Sequence, residues 1–471
     1  MNYDRENSGE VIPFNNPLRF GLFGPAIILL AFGQATGELV HWPYLTIKYG
    51  LFFLFLIIPA CLIQYPVFGF LARHTILSGE SHFSTLLKIN KLYAFLTWIV
   101  FILTSVWIAS YTSSGGIALA KLYSAVTGSA VNLKSAGIYS ALCINFIFFF
   151  ILLSLRDRTY GFISGFMQLV AVASLFVVIA IFSITMFTNG VNSDFFTALF
   201  DFKISLPEAW INKDAKLVIT AVVFAGLGGL WNVLYSVWLR QEGMGAAYKN
   251  RSEFLEYKNH LFEVSQSSES IGNYQKTMKL LKRDLWFGLG GNAIMIIMIV
   301  YIAYASFPKG VEAPSGLGVI TSLGDAVSYK SLFMASIFYV FIGLFLMDTW
   351  VTAADSLSKL HANMLIGLLK TNKESTTIEP ESKAKLFYIG FLIIMLIMTF
   401  VSSFIARPQQ LNYLNGLLSM FGSVLLIIGI FMIEIYYRKI LVKFPTHPVM
   451  TIFLVVSFLT YTVLGIAFIL L

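Results

Sequence analysis

Ala31-Phe32-Gly33-Gln34-Ala35-Thr36-Gly37-Glu38-Leu39-Val40-His41-Trp42-Pro43 lies inside the first apolar run of the sequence. If that run crosses a bilayer, two glycines, a glutamine and a carboxylic acid fall at mid-membrane depth. An acid there costs at least ~2.5 kcal/mol on insertion scales, so Glu38 is expected to face a protein interior or an aqueous cavity, not lipid. A second apolar run has the same character: Ala225-Gly226-Leu227-Gly228-Gly229-Leu230-Trp231-Asn232 carries three glycines within four residues. Each glycine costs about 1 kcal/mol relative to alanine inside a helix. Both runs are expected to break. Singly, either glycine cluster also fits close helix packing. Their matching positions, with Glu38 and Asn232 beside them, favour a solute site where the two broken helices meet. Unwound backbone is tolerated at membrane depth where it lines a cavity, and there it offers carbonyls and half-helix ends to an ion.

Working outward, apolar runs occur at about Phe20–Thr46, Leu51–Leu71, Leu92–Leu119, Ile138–Leu155, Ile163–Phe187, Val218–Leu239, Leu285–Tyr304, Leu332–Ala354, Leu386–Ile405, Leu414–Tyr436 and Val449–Leu471. At 1.5 Å per residue each covers most or all of a ~30 Å hydrocarbon layer. The expected fold is therefore all-α and membrane-integral, with about eleven transmembrane helices. The first and sixth stand five spans apart, which predicts an inverted repeat of five plus five helices. The expected organisation is a cytoplasmic tail over residues 1–19, a core over 20–436 with repeats at about 20–187 and 218–436, a cytoplasmic loop over 241–284, and an eleventh helix over 449–471. With the N-terminus cytoplasmic, 23 of the 32 Lys and Arg fall on the cytoplasmic side and the C-terminus lies outside. The membrane expected is the cell membrane. In the long loop, Lys276, Lys279, Lys282 and Arg283 would lie near anionic headgroups, as an anchoring patch. The stretch from about Lys370 to Lys385 has the Ser, Thr, Glu and Lys mixture of a mobile linker.

Composition excludes other classes. Of 471 residues, 57% are hydrophobic and only 12% charged, about half the charge of a water-soluble domain. The net charge of +8 resides in the connections between apolar runs, where it sets topology, so nucleic acid is not an expected partner. Cys61 and Cys143 both lie in apolar runs without the Cys/His spacing of a zinc site. The mixed-charge first 19 residues do not have the order of a cleaved signal peptide. Neither a His-Glu-x-x-His motif nor a phosphate loop is present, which argues against an intramembrane metalloenzyme and a nucleotide-driven pump. Gly288-Leu289-Gly290-Gly291 is a fragment of a dinucleotide fingerprint inside a span. The expected partners are the bilayer and a small ion or solute, with no enzymatic activity and no cofactor.

Several local motifs carry a family resemblance. They are Gly24-Pro25-Ala26, Gly37-Glu38 with Trp42-Pro43, Lys48-Tyr49-Gly50, Gln64-Tyr65, Ser78-Gly79-Glu80-Ser81, Ala225-Gly226-Leu227-Gly228-Gly229 and Asp355-Ser356-Leu357-Ser358-Lys359. Over residue 20 to about 436 the chain resembles the Nramp-type divalent-metal transporters, and more closely their divergent Nramp-related branch in prokaryotes. The resemblance implies the leucine-transporter fold and proton-linked uptake of divalent metal. The chain departs from the family at its ligands. Ala35-Thr36-Gly37-Glu38 stands where metal-transporting members have Asp-Pro-Gly-Asn, and Gly229-Leu230-Trp231 where they have Met-Pro-His. The remaining donors are Glu38, Asn232, Gln34 and the carbonyls near Ala35 and Ala225, within a site framed by Gly37 and Gly229. Oxygen donors without a thioether suit magnesium, calcium or manganese, and a single carboxylate suits a partly hydrated ion. The alternative is a transporter of the same fold for a small organic solute such as an amino acid, its carboxylate held by helix N-termini.

Asp348, Thr352 and Asp355 are spaced to share one face of the eighth span and read as a possible proton or ion path. Asp355 also fits an i, i+4 pair with Lys359. Asn412 and Asn415 begin the tenth span, where Asn415 fits either an extra ligand or an interhelical hydrogen bond. His41, beside Trp42 and Pro43, reads as an interfacial anchor or a pH sensor.

Overall fold

A computed structural model of the chain describes residues 11–12, 24–33, 37–105, 108–155, 158–208, 210–249, 254, 264–307, 312–314, 318–328, 331–369, 381–405 and 408–471. Its first half contains α1 (Ala26–Gly33), α2 (Trp42–Tyr49), α3 (Ile57–Leu62), α4 (Tyr65–Ser78), α5 (His82–Ile89), α6 (Lys91–Ser105), α7 (Ile108–Thr127), α8 (Leu133–Leu155), α9 (Thr159–Asn189) and α10 (Ser193–Ala198). The second half contains α11 (Ala215–Val223), α12 (Val233–Gln241), α13 (Ser268–Ser306), α14 (Gly318–Ser328), α15 (Leu332–Leu369), α16 (Glu381–Ile405), α17 (Pro408–Tyr436), α18 (Arg438–Leu441) and α19 (Pro448–Leu470). Eight helical stretches among the described residues are long and apolar enough to cross a bilayer. The three other apolar runs are described as α1 with α2, α6 with α7 and α11 with α12, and the last of these is interrupted by non-helical backbone between Val223 and Gly229.

The helices sort into two packed groups. In one, α1 lies along α13, α4 packs on α12 and α13, and α3 touches α11 and α13. In the other, α7 packs on α8, α15 and α16. Small residues make that second packing close: a Cβ added at Gly115 would stand 2.8 Å from the Gly343 carbonyl oxygen and 3.1 Å from Met347 Cγ. Buried tryptophans pin the same helices, with Trp350 Nε1 donating to Thr399 Oγ1 at 2.9 Å and Trp238 Nε1 to Ser356 Oγ at 2.9 Å. Between the groups run α9, on α1, α13 and α15, and α17, on α6, α7 and the turn before α12. The last helix, α19, covers α17, α4 and α11.

The segment 241–284, expected as a loop, is helical from Ser268 onward, as the N-terminal extension of α13. The reason is local. Ser267 accepts the Ser270 amide at 3.2 Å as an N-cap, and Glu269 sits in the first turn, where the helix dipole favours an acid. Tyr274, Met278, Leu281 and Leu285 then recur at helical spacing and are buried.

Candidate functional site

The glycines of the sixth run break it as expected. α11 stops at Val223, and helical backbone resumes only with a 3₁₀ turn over Gly229–Asn232. Between them Gly226 has φ +150° and Gly228 φ +72°, conformations that side-chain-bearing residues rarely adopt. Gln64, wholly buried at the start of α4, bridges the gap. Its Nε2 donates to the Val223 carbonyl at 3.4 Å and its Oε1 accepts from the Gly228 amide at 3.5 Å. One side-chain amide thus serves a carbonyl before the break and an N–H after it, groups that cannot stay unpaired away from water.

In the first run α1 is described as far as Gly33, and the chain is next described at Gly37, where a π-helical turn runs to His41. Pro43 then sits in the first turn of α2, where its missing N–H costs nothing. This π turn touches the break in the sixth run. A Cβ on Gly37 would lie 2.8 Å from Phe224 Cβ, so only glycine lets the π turn lie against the unwound backbone of the sixth run. A Cβ on Gly33 would be 3.7 Å from Gly226 Cα.

Glu38 lies in this π turn and is fully buried. It stands within electrostatic range of the Cys61 thiol on α3 and the Tyr111 hydroxyl on α7. Asn292 of α13 lies beside Cys61. The Tyr111 hydroxyl accepts from Asn415 Nδ2 at 3.1 Å, and Asn415 Oδ1 accepts from Ser419 Oγ at 3.3 Å. A hydrogen-bonded string therefore runs from Tyr111 of α7 into α17, with Glu38 in its electrostatic neighbourhood.

The residues expected at the site separate into groups. Glu38, Gly37 and Ala225 meet where the π turn touches the break in the sixth run. Gln34 and Ala35 lie outside the described residues. Gly229 is a packing position, since a Cβ there would meet Ser419 Cα at 2.5 Å. Asn232 is buried at the entry to α12, and neither side-chain amide atom has a hydrogen-bond partner among the described residues. Asn415 makes the interhelical bond just described, while the side chain of Asn412 lies outside the described residues. His41 is buried in the π turn and is not an interfacial anchor. Tyr111, Asn292 and Cys61 join the neighbourhood of Glu38 unannounced: each is an uncharged residue within an apolar run, with no sequence signal to raise it. Gln64 had its signal in the Gln64-Tyr65 motif.

In α15, Asp348, Thr352 and Asp355 are all buried on their shared face. They differ in company. Asp355 accepts from Tyr388 at 2.9 Å and pairs with Lys359 at 2.9 Å, whose ammonium also donates to Thr159 at 2.8 Å. Asp348 accepts only from Thr349 at 3.3 Å, and its Oδ2, like Thr352 Oγ1, has no hydrogen-bond partner among the described residues.

Aromatic and ionic contacts flank the break. On one side Phe32 packs on Trp231 and Trp238, with ring centroids 5.8 Å apart in each case, and Phe101 lies 6.2 Å from Trp231. On the other, the far end of α2 is tied to the start of α11. Lys48 pairs with Asp214 at 2.5 Å, and the Tyr49 hydroxyl donates to the same carboxylate at 2.8 Å. Burial works against the Lys48 charge, but hydrogen bonds to Asp214 and Tyr44 outweigh it and hold the ammonium above the ordinary lysine range.

Two five-helix repeats, each opening with a broken helix, define the leucine-transporter fold. The chain is similar in structure to the manganese transporter of Eremococcus coleocola, solved with an aromatic bis-isothiourea substituted compound. The two share 14% identity and a TM-score of 0.63 over 99% of this chain and 90% of that one. It is also similar to Mhp1, a nucleobase-cation-symport-1 family transporter with bromovinylhydantoin bound, at 16% identity and a TM-score of 0.57 over 97% and 92% of the two chains. A third is MhsT in complex with L-phenylalanine, at 15% identity and a TM-score of 0.54 over 94% and 97%. At these identities the likeness is one of fold. No family model and no curated protein matches the sequence.

Proposed function

We propose that this chain is a secondary-active transporter, Nramp-related, that carries a divalent metal cation by alternating access around a midplane site between its two broken helices. Glu38 is the charged ligand. The observation that carries the reading is the fully buried carboxylate in the π turn, set where that turn lies against the broken sixth run. Carbonyls freed by the breaks near Ala35 and Ala225, with Gln34 and Asn232, complete an oxygen-rich shell around a partly hydrated ion. Asp348, with Thr352 beside it, serves as the proton or ion path; Asp355 is held by Lys359. The N-terminus faces the cytoplasm of the cell membrane, as the basic residues direct.

A second reading is a small organic solute, such as an amino acid, on the same scaffold. Its support is that no group of three or more His, Cys, Asp or Glu among the described residues is arranged to hold a metal.

Uptake by purified protein in liposomes separates the two. Manganese, magnesium, calcium and cadmium are offered in turn, with an internal pH dye and a Glu38→Gln control. Saturable entry that the variant loses, in protein of unchanged thermal stability, is the expected result. Unchanged uptake by the variant would remove Glu38 from the site. No entry of any cation by folded wild type would turn the assignment to an organic solute.

A further inference from the structure

α13 is 39 residues long, about 58 Å at 1.5 Å per residue, against a hydrocarbon layer of about 30 Å. Its apolar part begins at Leu285, so the turns from Ser268 to Asp284 form a helical extension beyond the span. One face of that extension is committed to the protein. Ser270 Oγ accepts the Ile12 amide at 3.1 Å, Asn273 Nδ2 donates to the Ile12 carbonyl at 2.9 Å, and Tyr274 packs on Phe444 with ring centroids 5.3 Å apart. Asp284 accepts the Gly24 and Ala26 amides at 2.9 and 3.0 Å.

The opposite face is exposed. It carries Lys276, Lys279, Lys282 and Arg283. Spacings of three and four make them a stripe, and continuing along the helix brings Trp286, 53% exposed, and Phe287, 37% exposed. Neither acid of the extension interrupts it, because Asp284 is buried on the other face and Glu269 stands at the far end. Basic side chains followed directly by exposed aromatic rings and then a lipid-exposed apolar surface reproduce the order of a membrane boundary: phosphate level, interfacial belt, acyl chains.

We propose that this stripe is a docking surface for the headgroups of anionic phospholipids. The charge is complementary, and the flexible Lys and Arg stems reach the headgroup plane while Trp286 sets the depth. The bound lipid steadies the helix whose other face holds the start of α1. The proposal stands whether the transported solute is a cation or an organic molecule.

The test uses the full chain in phosphatidylcholine bilayers with spin-labelled phosphatidylglycerol or phosphatidylcholine as probe, and reads the relative association of the two at the protein surface. Wild type is expected to prefer phosphatidylglycerol several-fold, with an upper limit of about fivefold for each fully engaged basic residue. The preference should fall as salt shortens the Debye length from about 10 Å at 0.1 M to about 3 Å at 1 M. It should disappear in Lys276→Gln/Lys279→Gln/Lys282→Gln/Arg283→Gln and fall to about the square root of the wild-type ratio in Lys279→Gln/Arg283→Gln, an estimate that takes the four charges as equal and additive in free energy. A control losing the same charge elsewhere, Lys91→Gln/Lys121→Gln/Lys134→Gln/Lys203→Gln, should retain it. No preference in wild type, an undiminished preference in the stripe variants, or equal loss in the control overturns the proposal. Binding of polyglutamate to wild type without any lipid preference also overturns it, in favour of a soluble acidic partner.

Discussion

Asp284→Asn tests how the start of α1 is held. The Asp284 carboxylate accepts from Gly24 and Ala26, the first amides of α1, at 2.9 and 3.0 Å, and Pro25 between them has no N–H to offer. Hydrogen bonds to a charged group contribute about 1.5 to 3 kcal/mol each, and a carboxylate at a helix N-terminus adds a few tenths to 1 kcal/mol. Asparagine keeps one acceptor and turns an N–H₂ group toward the other amide, so one bond and the charge are lost together. The expected cost is about 2 to 3 kcal/mol in the docking of α1 on α13. That corresponds to a 30- to 150-fold rise in local opening, at about 1.4 kcal/mol per tenfold change. Hydrogen exchange followed by mass spectrometry over residues 24–33, in lipid nanodiscs, reads this directly. Faster exchange confined to that stretch is the expected result. Unchanged exchange there, in a variant whose remaining amides match wild type, would refute the latch.

Three further outcomes follow from the geometry. Gly226→Ala forces a side chain into φ +150° and puts its Cβ 2.6 Å from Gln64 Oε1; a loss of at least about 2 kcal/mol is expected, read by thermal unfolding, and wild-type stability would show that the break tolerates a side chain. Asp348→Asn should alter the pH dependence of uptake more than the apparent affinity, and identical pH profiles would remove Asp348 from a relay. For Lys48, a folded pKa above the unfolded value means that its contribution is complete below about pH 10.4 and is lost only as pH rises beyond that. The stability difference between wild type and Lys48→Met should therefore stay constant from pH 6 to 9; a difference that vanishes within that window would contradict the assignment.

Much of the architecture was legible because membrane physics writes itself into composition. Apolar runs near 20 residues announce the spans, and the cost of glycine at membrane depth announces the break in the sixth run. The Asp355–Lys359 pair can be read from i, i+4 spacing, and the cap of α13 is written at Ser267 and Glu269 although the composition of the segment reads as a loop. Tertiary structure decided the rest. Tyr111 meets Glu38 from a helix some 70 positions away in sequence, and Asn415 reaches Tyr111 from a third. Neither approach is encoded in local periodicity, because uncharged polar residues in apolar runs look alike whether they face lipid, a neighbour or a site. Gly37 and Gly229 read equally well as site or packing residues until their neighbours, Phe224 and Ser419, were in place. The sequence determined that the sixth run breaks and that a carboxylate lies within the first; only the packing of α3, α4, α7, α13 and α17 decided what surrounds it, since burial and hydrogen bonding are properties of the whole assembly of helices.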